Sequence, residues 1–325
     1  MMPKLQTAAY FLLLSFALSQ PLTAVGQENG QRPKPKPPIL SLGEVTLDRM
    51  PFEWPDDANA ASKIGNREVI RLLSDIFPVD PENDRPSYTN HDQEVASYTF
   101  ASFDDGPPFL VAETDTARST WIREATLVRC YGLTCSFAVI HSDEVTSCDL
   151  RDQILDLKKD GTHRMLATDA IWLGGARGYG GRSVYILGVS KGQVEDESSK
   201  FPEFYRTKVF PEIDKEVREI LPDERLSKEE SEEVRAGYIY MRREMERRVL
   251  GDRTAGLTDA REWEQSSNEG VRLYAIRTYQ EIDSPEADAG LIRLSLSKSK
   301  LTSQWAHDAI VLKLDMKANP KYYGR

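Results

Sequence analysis

Chemistry-bearing residues concentrate between Asp156 and Gly192, where the chain reads DLKKDGTHRMLATDAIWLGGARGYGGRSVYILGVSKG. A phosphate-binding version of the glycine-rich GGARGYGG would lead into a helix whose N-terminus faces the anion. The following RSVYILGV is alternating and β-branched instead, so we predict that this loop connects two antiparallel strands. It still presents Arg177, Tyr179 and Arg182 as candidate contacts for an acidic or sugar ligand.

The first part of this stretch, ILDLKKDGTHRMLATD, resembles the strand, aspartate turn and strand of FG-GAP or VCBS-type repeats, whose D-x-D-x-D-G turn holds calcium. Asp156, Asp160 and Gly161 match the first, fifth and sixth turn positions, but Lys158 stands where the second acidic ligand would be. An ammonium group removes a ligand and repels the ion, so we expect the turn without the metal. Gly161 would then supply the positive φ of a tight hairpin turn.

The wider resemblance, to secreted bacterial proteins with an FG-GAP-like β unit, covers about Glu94 to Ile220 and includes SVYILGVSKGQVEDESSKFPEFYRTKVFPEI. It implies an extracellular or periplasmic β module and brings no catalytic residues with it. Within this string, four aromatic residues recur at roughly helical spacing: Phe201, Phe204, Tyr205 and Phe210. They need an apolar surface to pack on, and the nearest in sequence is the face of the SVYILGV strand. We therefore expect a chain cut near Leu226, which retains this helix, to fold.

Short apolar and β-branched runs recur between Glu94 and Val189, separated by the turn sequences DDGPP, YGLT, KKDG and GGARGYGG. Strands this close together leave no room for crossover helices, so the sheet should be largely antiparallel. Ahead of them, NREVIRLLSDIF (66–77) has one apolar helical face. With a helical C-terminal part, these elements predict the α+β class.

Beyond residue 200 the pattern is helical. The long segment LSKEESEEVRAGYIYMRREMERRVLG begins with Ser227 and Glu230 as a capping box and stops at Gly251. We expect its RREMERR run to be a solvated face that complements the helix dipole. Ser284 should cap a later helix with Pro285 at its first position.

Further along, Ala275-Ile276 recurs as Ala309-Ile310, and IDSPEA lies between paired helices. This resembles HEAT-type helical repeats. Only about one and a half units are present, whereas free-standing solenoids need three or more. The helical tail should therefore pack on earlier helices or on the sheet.

The cysteines are Cys130, Cys135 and Cys148. TLVRCYGLTCSFAVI reads as two strands around a tight turn, which would place Cys130 and Cys135 opposite each other, and this pair is our first choice for a disulfide. The alternative pairs Cys135 with Cys148, and one cysteine is left over in either case.

The N-terminus has the features of an export signal: Lys4, then the apolar run AAYFLLLSFAL, then small residues before Gln27. No later apolar run reaches transmembrane length, so the mature chain should lack a membrane span. We divide the chain into a signal peptide (1–26), a Pro-rich linker and coil (27–65), an antiparallel β domain with flanking helices (66–221) and an α-helical repeat-like domain (227–325).

The charge balance excludes two classes of partner. The chain carries 42 basic and 52 acidic residues, a net charge of −10, and losing Lys4 with the signal makes the mature charge about −11. A chain this acidic is a poor binder of nucleic acid or of anionic lipid. The sequence makes no prediction about oligomeric state.

The string GVSKG (188–192) matches G-x-S-x-G, but no H-E-x-x-H motif occurs, and we assign no catalytic residue, metal or cofactor. The function we favour is an exported, non-catalytic binding or protein-interaction protein with a protein or carbohydrate partner. The alternative is an exported hydrolase acting on cell-wall or carbohydrate material, with this candidate site: Asp156, Asp160, His163 and Asp169.

Overall fold

Two antiparallel sheets precede a set of helices, so the protein belongs to the predicted α+β class. The computed structural model describes residues 39–58, 60–77, 95–115, 122–143, 153–172, 180–190, 193–220 and 226–319. The strands are β1 (Ile39–Thr46), β2 (Val95–Ala101), β3 (Phe109–Asp115), β4 (Ile122–Tyr131), β5 (Thr134–Asp143), β6 (Ile154–Leu155), β7 (Arg164–Trp172), β8 (Gly180–Ser190) and β9 (Gln193–Asp196). The helices are α1 (Asn66–Ile76), α2 (Phe210–Ile220), α3 (Lys228–Met245), α4 (Leu257–Glu264), α5 (Glu269–Glu281), α6 (Pro285–Ser295) and α7 (Lys300–Ala318).

The strands form a first sheet of order β1-β5-β4-β3-β2 and a second of order β6-β7-β8-β9. Successive strand residues point to opposite faces of a sheet. In β3, Phe109 and Val111 therefore join the core between the two sheets, whereas Leu110 and Ala112 join the core under α1. The first sheet is thus covered on one face by α1 and on the other by the second sheet.

The second sheet divides its side chains in the same way. Tyr185 and Leu187 of β8 belong to the core between the sheets, while Ile186 belongs to a core shared with the C-terminal helices. The result is four layers: α1, the first sheet, the second sheet and the remaining helices. The range Pro37–Ala318 forms one compact unit, and the separate β and helical domains stay a prediction.

The segment predicted as linker and coil (27–65) differs from the prediction because it contains β1. This strand pairs antiparallel with β5, with Val45 opposite Cys135. The apolar face predicted for residues 66–77 is confirmed, since α1 buries Val69, Leu72 and Leu73.

The predicted helix boundaries are confirmed at several positions. Ser227 and Glu230 form the capping box of α3, and a π-helical turn (Glu246–Leu250) carries the helix on to Gly251. Ser284 caps α6, which starts at Pro285.

The aromatic segment also packs where predicted. A short helical turn (Pro202–Phe204) and a π-helical turn (Tyr205–Val209) lead into α2. The Tyr205 hydroxyl donates to the Val184 carbonyl of β8 at 2.7 Å, and Tyr205 is buried in the same core as Ile186. Among the described residues, no helix is both long enough and apolar enough to span a membrane.

Candidate functional site

The β4–β5 hairpin brings Cys130 and Cys135 together, as predicted. The two residues are directly opposed, both are buried, and their sulfur atoms lie 1.97 Å apart, at disulfide-bonding distance. Gly132 and Leu133 form the turn between them. Cys148 lies outside the described residues.

The aspartate turn connects β6 to β7, which pair antiparallel with Leu155 opposite Arg164. Gly161 adopts the predicted positive φ, at 81°, but the connection (156–163) is longer than a tight turn. The Asp156 carboxylate accepts from the backbone N–H of Asp160 at 3.1 Å and of Gly161 at 3.0 Å. This carboxylate therefore holds the turn by hydrogen-bonding its backbone.

The electrostatics of Asp160 do not favour a general-acid role. Asp160 is exposed, and hydrogen bonds from the Thr162 side chain and backbone lower its pKa, whereas a general acid requires a raised pKa. The Nδ1 atom of His163 lies 3.1 Å from the Ser102 carbonyl oxygen. Asp169 lies on β7, with its backbone opposite Ser183. The hydrolase alternative therefore finds no general acid in Asp160.

The glycine-rich loop joins β7 and β8, which pair antiparallel from Met165 opposite Leu187 to Trp172 opposite Gly180. A strand follows the loop, as predicted, instead of the helix that a phosphate loop would require. Arg182 lies on β8 opposite Ala170. The other two candidate ligand contacts, Arg177 and Tyr179, lie outside the described residues.

A polar cluster occupies one edge of β8. Its partner β9 pairs only with the end of β8, from Leu187 opposite Asp196 to Ser190 opposite Gln193. Unpaired backbone groups on a covered edge need other partners. We name the side chains that supply them, with their immediate neighbours, the β8 edge cluster: Asp196, Ser198, Tyr205, Glu244, Met245 and Arg248.

Backbone groups of Val184 and Ile186 at this edge hydrogen-bond to side chains of the cluster. The Ile186 N–H donates to Ser198 Oγ at 3.0 Å, and the Val184 N–H donates to Met245 Sδ at 3.4 Å. The Val184 carbonyl accepts from Arg248 Nη2 at 2.9 Å as well as from Tyr205. The helical layer therefore completes the hydrogen bonding that a further strand would otherwise provide.

Arg248 is the centre of this cluster. Its guanidinium lies 4.0 Å from the Tyr185 ring centroid and forms ion pairs with Asp196 at 3.2 Å and Glu244 at 3.1 Å. Burial raises the pKa of Glu244, and the Arg248 charge only partly opposes that rise. Both Glu244 oxygens are engaged, one by Arg248 and the other by the Ser183 hydroxyl at 3.2 Å. These contacts connect the sheet to the helices.

The prediction that RREMERR forms a solvated face is therefore wrong. The side chains of Arg247 and Arg248 are only 11% and 16% exposed, because this end of α3 lies against β8 and α5. The Glu244–Arg248 spacing of one helical turn is a local signal, but it does not reveal the strand on which the pair packs.

Among the described residues, the large apolar side chains exposed in the helical layer lie on α6, on the residue that follows α6 and on α7. Four large side chains are exposed there: Ile292 (55%), Leu296 (79%), Val311 (66%) and Leu314 (62%). We call this surface the α6–α7 outer face. Large apolar side chains exposed on neighbouring helices are candidates for an interaction surface.

The packing of α6 and α7 explains why these side chains face outward. The helices run antiparallel, since Ser303 Oγ donates to the Ser295 carbonyl at 2.6 Å and Lys313 Nζ pairs with Asp288 at 2.6 Å. Lys313 also donates to the Tyr279 and Ile282 carbonyls at the end of α5.

Close contact with α5 fixes the inner side of both helices. Gly290 of α6 lies so close to the Tyr279 ring that a Cβ at this position would clash with the ring carbons. Ala306 and Ala309 are buried on the corresponding side of α7. The apolar residues on the opposite side of each helix are therefore left without cover by α5.

Sequence reasoning missed this surface, although α7 carries a signal for it. A helix whose apolar residues form one stripe buries that stripe, whereas one that is apolar on several sides needs further partners. In α7, Trp305, Ile310, Val311 and Leu314 lie on several sides of the helix.

Comparisons of the chain with models of known protein families, with curated proteins and with solved structures find no match.

Proposed function

We propose that this protein is an exported, non-catalytic protein-interaction protein whose α6–α7 outer face binds an amphipathic helix of a partner protein. The observation that carries the proposal is the exposure of Ile292, Leu296, Val311 and Leu314 on two adjacent antiparallel helices. A partner helix can place its apolar residues, spaced three and four apart, into the surface between two such helices. Export rests on the N-terminal sequence pattern.

Charge indicates the kind of partner. Asp308 and Asp315 are exposed on α7, within about 60° of Val311 around the helix. The chain as a whole has a net charge of −10, so a second copy would be repelled and a helix with basic flanks attracted. We therefore assign the surface to a different protein whose apolar stripe is bordered by Lys or Arg.

The test uses a synthetic amphipathic peptide helix with a leucine stripe and lysine flanks, measured by fluorescence anisotropy. The wild-type chain should bind it. The double variant Val311→Glu, Leu314→Glu should bind roughly tenfold more weakly or worse, since it places two charges where apolar contact is needed.

The matched control is Leu42→Glu, which introduces the same charge at a position that is 54% exposed on β1. This control should leave peptide binding unchanged. Equal binding of a peptide with glutamate flanks would contradict the charge argument. A dimer in light scattering that the Leu314→Glu change dissociates would show that a second copy occupies the surface.

Export is tested separately by the N-terminus of protein purified from its native source. Mass spectrometry should find the mature chain starting near Gln27. Mature material that still begins at Met1 would refute export and leave the interaction surface to be judged by peptide binding alone.

A further inference from the structure

A second, polar site lies elsewhere in the helical layer. A cavity of about 420 Å³ opens where the end of α4, the start of α5 and the α6–α7 loop meet. It is an open, polar depression whose volume would admit a small molecule. Its polar lining includes Glu264, Arg272, Arg293, Ser297, Lys298 and Ser299.

The charge of this cavity is opposite to that of the chain. Arg272, Arg293 and Lys298 contribute three positive charges and Glu264 one negative charge, in a protein whose net charge is −10. Glu269, which contacts Arg272, is the other acidic group beside it. The adjoining α7 begins at Lys300, and the positive end of its dipole adds to the attraction for an anion.

Arg272 is held in place by its neighbours. Its Nε donates to Thr302 Oγ1 at 3.0 Å, its Nη1 to the Ser266 carbonyl at 2.5 Å and its Nη2 to Glu269 at 3.4 Å. A guanidinium has five N–H donors, so this arrangement fixes the group and leaves two donors for a ligand. Its side chain is 15% exposed.

The other two cations have different roles. Arg293 donates to Glu264 from Nε at 2.6 Å and from Nη2 at 2.8 Å. Burial opposes ionisation of Glu264, but hydrogen bonds from Arg293 and Tyr279 outweigh it, so the pKa of Glu264 is lowered. Lys298 is exposed and has no polar partner among the described residues, so its ammonium group is available to a ligand.

We propose that this cavity binds a small organic polyanion whose charge is carried by carboxylate or phosphate oxygens, with Arg272 and Lys298 as its principal contacts. Guanidinium groups match the geometry of both oxyanions, and an ammonium group adds a mobile charge. The lining of this cavity shares no residue with the α6–α7 outer face. The proposed ligand of the cavity is a small molecule, and the proposed ligand of the outer face is a protein.

The experiment is calorimetric titration of the full chain with citrate and with glucose 6-phosphate at constant ionic strength, with glucose as the uncharged control. At least one anion should bind and glucose should not. The tighter of the two anions identifies whether carboxylate or phosphate is preferred. Lys298→Gln should weaken binding roughly tenfold, the effect of one hydrogen bond to a charged group.

Lys228→Gln is the matched control, because it removes the same charge from an exposed lysine on α3, whose side chain is 91% exposed. It should bind the anion as the wild type does. The inference is overturned if neither anion binds, if Lys298→Gln binds unchanged, or if Lys228→Gln weakens binding equally. The outer-face variant Val311→Glu, Leu314→Glu should keep anion binding, so the two proposals can fail independently.

Discussion

At the scale of single residues, Arg248 connects the two main parts of the fold. It holds the Val184 carbonyl, Asp196 and Glu244 together. We expect Arg248→Ala to lower the free energy of unfolding by about 3 kcal/mol, because it leaves the half-buried Glu244 carboxylate without its counter-charge and removes one of the two hydrogen bonds to the Val184 carbonyl. Urea unfolding at neutral pH measures this loss.

Arg261→Ala is the control for loss of a charged side chain. Arg261 pairs with Glu286, but its side chain is 57% exposed, and such surface pairs contribute less than about 1 kcal/mol. A similar loss for both variants would mean that Arg248 stabilises the protein no more than a surface arginine.

Asp104 provides a second residue-scale prediction, through pH. It accepts hydrogen bonds from Arg129 at 3.0 Å and from the Gly106 N–H at 2.9 Å. Burial raises its pKa, but these bonds outweigh burial and the net effect lowers it from 3.8. The pair is therefore stabilising above about pH 3.8, and this contribution is lost as pH falls through the lowered pKa of the folded state.

We expect Asp104→Asn to be about 2 kcal/mol less stable than the wild type at neutral pH, because Arg129 is buried and loses its counter-charge. The deficit should shrink as pH falls below about 3.8 and through the lowered pKa of Asp104 in the folded state, because protonation then removes the same interaction from the wild type. Urea unfolding across this pH range measures it, with the exposed neighbour Asp105→Asn as control. A deficit that stays constant with pH would contradict the ion-pair explanation.

At the scale of elements, local signals predicted well and long-range contacts did not. The capping box at Ser227 and the apolar face of α1 lie within a few residues of sequence, and both are confirmed. In contrast, Arg248 meets Asp196 and Val184 across 52 and 64 residues. No periodic sequence pattern predicts that contact. The β8 edge cluster therefore follows only from the three-dimensional placement of the strand against the helix.

Candidate sites follow the same rule. The Cys130–Cys135 pairing depends on a hairpin of six residues and was predictable from turn chemistry. The exposure of Val311 and Leu314 depends on which side of α7 packs against α5, which is a tertiary property. Similarly, the polyanion cavity forms from three separate helices and a loop.

The position of α3 changes the expectation for a shortened chain. A chain cut near Leu226 keeps Tyr205 on β8 but loses Glu244, Met245 and Arg248 from its edge. We now expect this fragment to aggregate, because an uncovered strand edge and the apolar residues beside it can pair with other chains. Soluble yield and cooperative urea unfolding measure the outcome, with a chain ending at Ala318 as control. Cooperative unfolding of the Leu226 fragment would instead support the sequence-based prediction that this fragment folds.

At the scale of the whole molecule, the second sheet contributes side chains to two cores, one on each of its faces. The core between the sheets and the core under the helices use alternate residues of the same strand, Tyr185 and Ile186 of β8. Loss of β8 would expose both cores at once. The physical expectation is one cooperative unit, whereas the sequence pattern suggested a β domain (66–221) and a helical domain (227–325).

Native-state hydrogen exchange distinguishes these descriptions. Leu127→Ala removes a side chain that is 1% exposed in the core between the sheets, and such a cavity costs about 3 kcal/mol. In one cooperative unit, the slowest-exchanging amides of α5 should lose the same free energy of opening as those of β4, although α5 lies in another layer. Leu296→Ala, at a surface position, should change neither element. If Leu127→Ala destabilised β4 while α5 kept its protection, the helices would form a domain that unfolds independently of the sheets.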